Sequence, residues 1–370
     1  MADRDLADLG LLIDHHCHGL ILDDLDQPAF EALMNEAAGP SPLGTTFFDS
    51  MLGLAIRRWC APVLGLEPHA SAEDYLLRRQ LLGTEASRLL TAAAGIETFM
   101  IDAGVDDHRL CAPADVAALT GGTAYEVVRL EALAEDLLQS GTAIDDFAGA
   151  TEQLLRESAA VAAKSIAAYR VGLDLPPSPP DTESLTAALA ALRPTASGRY
   201  RLADPVISAW LAWIAIKIRM PLQIHVGYGD ADIDLRHADP LRLTPFLRAT
   251  EELGVPVLLL HNYPFHRNAA YLAQVFGHVF MDIGLTVHNT GALSQTLIRE
   301  TLEVVPFGKL LFSSDAYGLA ELYYLGAELF RRGLSAVLGE LIKADEMIGQ
   351  DADHVASLIA RDNARRIYGL

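Results

Sequence analysis

Cysteine is scarce: Cys17, Cys60 and Cys111 are the only three in 370 residues, far apart and without a CxxC spacing. That argues against a disulfide framework and for a reducing, cytoplasmic setting. Basic residues are scarce too, 28 Lys and Arg against 49 Asp and Glu, for a formal net charge of −21. No basic run exceeds a pair such as Arg57-Arg58 or Arg331-Arg332. Such a surface repels phosphate backbones and anionic headgroups, which sets nucleic acid and membrane aside and leaves a small molecule as the expected partner. Long apolar runs are missing: the longest, 206–216, stops at Lys217, well short of a bilayer span, and residues 1–10 are too acidic for a signal peptide. Gly/Pro-rich stretches are also few. With 51% of residues apolar, the chain can bury a large core and reads as an ordinary globular protein.

Short β-rich apolar runs recur at 11–16, 98–101, 127–130, 165–169, 222–226, 257–261, 279–283 and 310–313. Between and after them lie 3.6-periodic segments at 72–94, 131–138, 144–162, 208–218, 243–253, 269–276, 296–304, 319–332 and 354–368. Strand and helix in alternation specify an α/β fold with a parallel sheet, and eight such units close a (β/α)8 TIM barrel, a doubly wound sheet being the alternative. The expectation is a single domain, 1–370, with a helical insertion over 19–97 after the first strand. A Pro-rich insertion over 174–205, opening with LPPSPP (175–180), follows the fourth. In a barrel both would rise over the C-terminal face, where substrates bind.

The strongest chemical signal closes the first strand, LLIDHHCH (11–18). Strand side chains alternate, so Asp14, His16 and His18 share one face, while His15 and Cys17 face the surrounding helices. Two imidazoles projecting from one strand end suit a first-row divalent metal; three polar residues clustered for structural reasons are the bland reading. Further along, His225 ends the fifth run, His261 ends the sixth, and Asp315 follows the eighth. A lone His at such a position is more often a core histidine, but several at the same end of one barrel converge on a single mouth. Lys164, at the start of the fourth strand, must be paired or modified if it points inward. A carbamate bridging two metals, a free ammonium for a substrate carboxylate and a structural ion pair all stay open.

HxH after strand one, Lys on four, His on five, His on six and Asp on eight resembles the amidohydrolase superfamily of metal-dependent TIM-barrel enzymes. Within it the chain looks most like the amidohydrolase-2 group and the barrel domain fused to glutamine-synthetase-like domains in nodulin-type proteins. The segments that carry the likeness are KSIAAYR (164–170), GDADIDL (229–235), HNYPFHR (261–267), FSSDAYG (312–318) and NARRIY (363–368). The resemblance implies that His16, His18 and Asp315 hold a first metal. His225 either joins it or passes to a second metal with His261; the two schemes differ over Lys164, a carbamylated bridge in the two-metal case and an ammonium otherwise. Mononuclear relatives use His261 as acid, base or electrophile. Zinc is the default ion from imidazole and carboxylate donors; manganese, iron or nickel suits the same set.

The preferred activity is hydrolysis of a small amide or ester by metal-activated hydroxide, with Asp315 as general base and then acid. A non-oxidative decarboxylase or other lyase acting on a small carboxylate is the alternative. A catalytically silent binding or regulatory barrel is third. Arg170, Asp230, Tyr263 and Tyr317 are the expected substrate-binding residues. Arg170 would clamp a carboxylate, or else pair with an acid such as Asp282; Asp230 with Asp232, Asp234 and Arg236 would cover the site, or else form a solvated capping loop. His266, Arg267 and His288 also follow strand ends. No sequence feature selects an oligomeric interface, and closed homo-oligomers are the usual expectation.

Overall fold

The computed structural model describes residues 9–37, 39–40 and 43–370. Residues 1–8 of the acidic N-terminal segment lie outside them, as do positions 38, 41 and 42 of the first insertion. Two compact units form: one holds residues up to Ile101, Asp107–Ala124 and Asp282–Leu370, the other Asp102–Asp106 and Tyr125–Met281. Among the described residues no helix is long and apolar enough to cross a membrane.

In the first unit β1 (Leu12–Cys17) is buried throughout and pairs in parallel with β2 (Ile96–Asp102), Ile13 against Thr98 and Asp14 against Phe99. The other edge of β1 takes an extended segment, 312–318. His15 N donates to Phe312 O (3.2 Å), Asp315 N to His16 O (3.0 Å) and His18 N to Ala316 O (2.8 Å), and Leu20 bridges Gly318 in parallel. This is the region expected as an eighth strand over 310–313. It follows β1 but forms no regular strand, because Asp315 (φ +49°) and Gly318 (φ +70°) turn the chain out of extended geometry. Seven strands form among the described residues, and the expected eighth is not one of them.

The second unit contains β3 (Thr123–Arg129), β4 (Ala162–Ser165), β5 (Leu222–Val226), β6 (Val257–His261) and β7 (Val279–Met281), paired in parallel in chain order. Arg129 lies opposite Lys164, Lys164 opposite Gln223, and Val226 opposite His261. β5 and β6 fall on their expected bounds because each is a short run of strand formers, buried on both faces. The strand expected over 165–169 is displaced. β4 ends at Ser165, Ile166 leaves extended geometry (φ −108°, ψ 30°), and Ala167–Arg170 is a helical turn. The buried Glu131 carboxylate makes that exit stable: its Oε1 accepts from Ser165 Oγ (2.8 Å) and Ile166 N (3.0 Å), groups a continuing strand would have had to pair elsewhere.

Most helical expectations hold, but 144–162 stops at Glu157 because Ala162 opens β4, and 243–253 is an α-helix, Thr244–Thr250, between 3-10 turns. The segment 72–94 is two helices, Ala72–Leu82 and Thr84–Ala94, divided at Gly83. The last one is interrupted by a π-helical turn, Leu358–Asp362, before Asn363–Tyr368. Helix Pro205–Lys217 starts on a proline, with Asp204 Oδ1 accepting from Val206 N (2.8 Å) and Ile207 N (3.1 Å), and is apolar on nearly every side because it is buried. Trp213 on it packs edge-on against Phe246, and Trp210 against Phe147.

Within the first insertion one carboxylate holds the chain together. Glu31, buried, accepts from Gln27 Nε2 (2.7 Å), Thr46 Oγ1 (2.8 Å) and Phe47 N (2.7 Å). Burial alone would raise this carboxyl, but the bonds from Gln27, Phe47 and Thr46 together hold it below its ordinary value of 4.5. A depressed folded-state pKa contributes stability that is complete above the unfolded value and is lost as pH falls through the folded one. Glu31→Gln is therefore expected to lose about 1–3 kcal/mol at neutral pH. The gap to the parent protein should close below about pH 4 in thermal unfolding followed across pH.

Candidate metal centre

In the first unit His16 is the last residue but one of β1, His18 lies one residue past its end, and the 312–318 segment brings Asp315 beside both. Asp315 Oδ1 is 3.2 Å from His16 Nε2 and 3.4 Å from His18 Nε2, and the two rings meet edge to face at 5.3 Å. One ligand atom from each residue lies within 4.8 Å of the others, and all three residues are buried. Two imidazoles and a carboxylate converging on one point form a donor set that fits a divalent cation.

The backbone around this cluster is fixed by groups outside it. Asp14 accepts from Ser314 N (2.9 Å) and Ser314 Oγ (2.5 Å), tying the turn before Asp315 to β1. Burial pushes the Asp14 carboxyl up to about 7 despite those bonds. The Tyr323 hydroxyl donates to the His18 carbonyl. Tyr317 packs edge-on against His18 (5.7 Å) and donates to Asp107 Oδ2 (2.9 Å), which hydrogen bonds from Arg109 hold well below the usual carboxylate range. His288 is fully buried near Asp315. Burial pulls its imidazole down to about 4 against the opposing pull of that carboxylate, so the ring is neutral at neutral pH.

His15 turns away from the cluster as expected, its Nδ1 3.0 Å from the Tyr368 hydroxyl and its Nε2 2.8 Å from Asp282 Oδ2. Cys17 is a packed thiol directed at Met100 O. For Arg170 the sequence offered an acid such as Asp282 as a structural partner; among the described residues Arg170 lies against Glu135, and Asp282 against His15.

The second unit carries its own cluster. The His225 ring lies between Tyr169 (4.4 Å between centroids) and His261 (4.6 Å). His225 Nε2 is 3.0 Å from Tyr228 O, so an N–H directed there leaves the lone pair on Nδ1. His261 and Asn262 both have positive φ, +67° and +64°. Among the described residues six non-glycine residues have positive φ, and two of them, His261 and Asp315, are residues expected to be functional, where backbone strain of about 1–2 kcal/mol is retained. Lys164 is buried on β4.

Tyr169 is a residue the sequence reading missed. Its signal was its place in KSIAAYR, but a strand through 169 would have pointed it elsewhere; the turn at Ile166 swings it onto His225. Gly229 leaves space for it, since a Cβ there would overlap the Tyr169 hydroxyl. Among the expected substrate contacts, Asp230 is exposed, its Oδ1 accepting from Asp232 N (2.8 Å), and Tyr263 is half-exposed with its ring parallel to His266. Asp234 caps the turn Leu235–His237 and chelates Arg236, while Asp232 pairs with Arg201 at 2.7 Å, the behaviour of a capping loop.

The family model for amidohydrolases matches residues 113–370. Protein fluG of Emericella nidulans is 28% identical over 99% of this chain, which spans about half (46%) of that relative's length. A crystal structure of a protein assigned as a metal-dependent hydrolase from Lactobacillus casei superposes with a TM-score of 0.85 at 28% identity, covering 98% of this chain and 96% of that one. Uronate isomerase from Thermotoga maritima, at 13% identity and a TM-score of 0.62 over 98% of this chain and 96% of its own, shares the fold.

Proposed function

Because the chain belongs to the amidohydrolase family, we propose that it is a metal-dependent hydrolase of a small amide or ester, the whole chain acting as one barrel-type module. The observation that carries this reading is the buried His16, His18 and Asp315 cluster with its ligand atoms within 4.8 Å of one another. These three residues would hold a divalent cation, zinc by donor chemistry, with manganese, iron or nickel suited to the same atoms. Such a cation, when bound, lowers the pKa of water from about 15.7 to about 7.

The protein's own groups then move the protons. The Asp315 carboxylate accepts the proton of the attacking water and returns it to the leaving nitrogen or oxygen, acting first as base and then as acid. His261 polarises the scissile carbonyl. The family pattern further assigns His225 to the metal and Lys164 to a carbamate ligand. Neutral His288 beside Asp315 adds no competing positive charge, and Tyr317 and Tyr263 offer hydroxyls to substrate.

The test is hydrolysis of a panel of N-acyl amino acids and carboxylate esters by protein stripped with chelator and then reloaded with zinc or manganese. Activity that disappears and returns with the metal is the expected result. A reloaded protein that hydrolyses none of them but releases CO2 from small carboxylic acids would replace the hydrolase with a lyase. The Tyr169 contact gives a second expectation: Gly229→Ala should reduce kcat about tenfold or more by displacing Tyr169 from His225, while changing stability by less than about 1 kcal/mol. Paired kcat and thermal-unfolding measurements check it; a fall in stability with kcat unchanged contradicts it.

A further inference from the structure

Three guanidiniums of the second unit bear on one another at Arg170, which feels the charges of Arg129 and Arg201. Two of them are fully served. Arg129 places Nη2 and Nε 2.6 and 3.1 Å from Asp102 Oδ2, and Arg201 Nη2 is 2.7 Å from Asp232. Arg170 is different. Its side chain is only 10% exposed, yet its sole acidic contact among the described residues is Glu135 Oε1 at 3.4 Å, and that oxygen already accepts from Leu202 N at 2.7 Å. Arg170 Nη1 is buried with no hydrogen-bond partner among the described residues.

A buried cation with an unused N–H is costly unless something absent from the protein alone completes it. Guanidinium presents its donors as a planar fork matched to a carboxylate, and such bidentate pairs are among the strongest neutralising contacts available. The negative charges of Glu135 and Glu131 also act on Arg170, which disfavours a dianion there relative to a singly charged guest. Arg170 closes the same helical turn, Ala167–Arg170, as Tyr169, whose ring packs on His225.

We propose that Arg170 is the recognition point for a carboxylate on the substrate, so that the amide or ester hydrolysed here carries a free carboxylate in addition to its scissile bond. This rests on the hydrolase reading above and narrows it. The competing role is structural: a buried water joining Arg170 Nη1 to Glu131 Oε2, which also lacks a hydrogen-bond partner among the described residues.

The experiment is calorimetric titration of metal-loaded protein with benzoate, with benzamide as its uncharged counterpart and with inorganic phosphate as the dianion-capable alternative, on the parent protein, Arg170→Lys and Arg170→Met. The expected result is benzoate binding without benzamide or phosphate binding, weakened about tenfold to hundredfold in Arg170→Met and less in Arg170→Lys. Should Arg170→Met not fold, Arg170→Lys still decides, because losing the fork must weaken benzoate. Equal benzoate affinity in the parent and in whichever variants fold overturns the proposal, as does phosphate binding in place of benzoate or no carboxylate binding at all. Loss of Arg170 dependence with metal-dependent hydrolysis intact removes this subsite alone. Arg170-dependent benzoate binding in a protein that hydrolyses nothing removes the hydrolase reading alone.

Discussion

Asp315→Asn is expected to lower turnover by roughly 10³-fold while leaving the protein folded. The substitution keeps size and shape but takes away the base that receives the proton of the attacking water. Asparagine is also the right replacement for the backbone: position 315 has φ +49°, a conformation Asn tolerates and Ala adopts only with strain of about 1–2 kcal/mol. Asp315→Asn therefore separates chemistry from folding better than Asp315→Ala. The check is kcat on the best substrate together with thermal unfolding. A variant with kcat within about tenfold of the parent would show that the proton moves through another group, with His261 the next to test.

The largest expected loss of stability lies at Glu321, away from the metal cluster. Its Oε1 accepts from Tyr75 Oη (2.8 Å) and Arg79 Nε (2.8 Å), and all three residues are buried. Burial, reinforced by the Glu321 charge, pushes the Tyr75 phenol well above its ordinary value, so it stays a donor at any working pH. The network joins helix Ala72–Leu82 of the first insertion to helix Ala320–Lys343, whose N-terminal turn follows Asp315 closely. Glu321→Ala strands the Arg79 guanidinium in the interior and should destabilise by about 3–5 kcal/mol. Replacing Arg79 and Glu321 together by Met and Leu should recover much of that loss, because the penalty comes from the uncompensated charge. Chemical denaturation of both variants checks this. Equal losses in the single and double variants would mean that packing, not charge, sets the cost.

Much of this could be read from the sequence, for physical reasons visible at particular residues. β5 and β6 were legible to the residue because buried parallel strands are uninterrupted apolar runs, and His225 and His261 stand out at their ends. HxH was legible because strand alternation puts His16 and His18 on one face by local geometry alone. Features governed by long-range partners were not legible. The exit from β4 depends on Glu131, more than thirty residues upstream, accepting the bonds of Ser165 and Ile166; without it the segment 165–169 reads as strand and Tyr169 is lost from view. The partner of Arg170 was not legible for the same reason. Residues 310–313 read as a strand because they are mostly apolar, yet the left-handed backbone at Asp315, just beyond them, turns the chain where its carboxylate joins the histidines.

The most direct test is metal content per chain, by elemental analysis of protein expressed with bicarbonate and purified without chelator, for the parent, His16→Ala with His18→Ala, and Lys164→Ala. The account predicts at least one divalent ion per folded parent chain, lost in the double histidine variant. Two ions falling to one or none in Lys164→Ala would assign that lysine to a bridging carbamate. A folded parent that binds no ion when reloaded, or a double histidine variant that keeps its full complement, would contradict the metal centre on which the proposed hydrolysis depends.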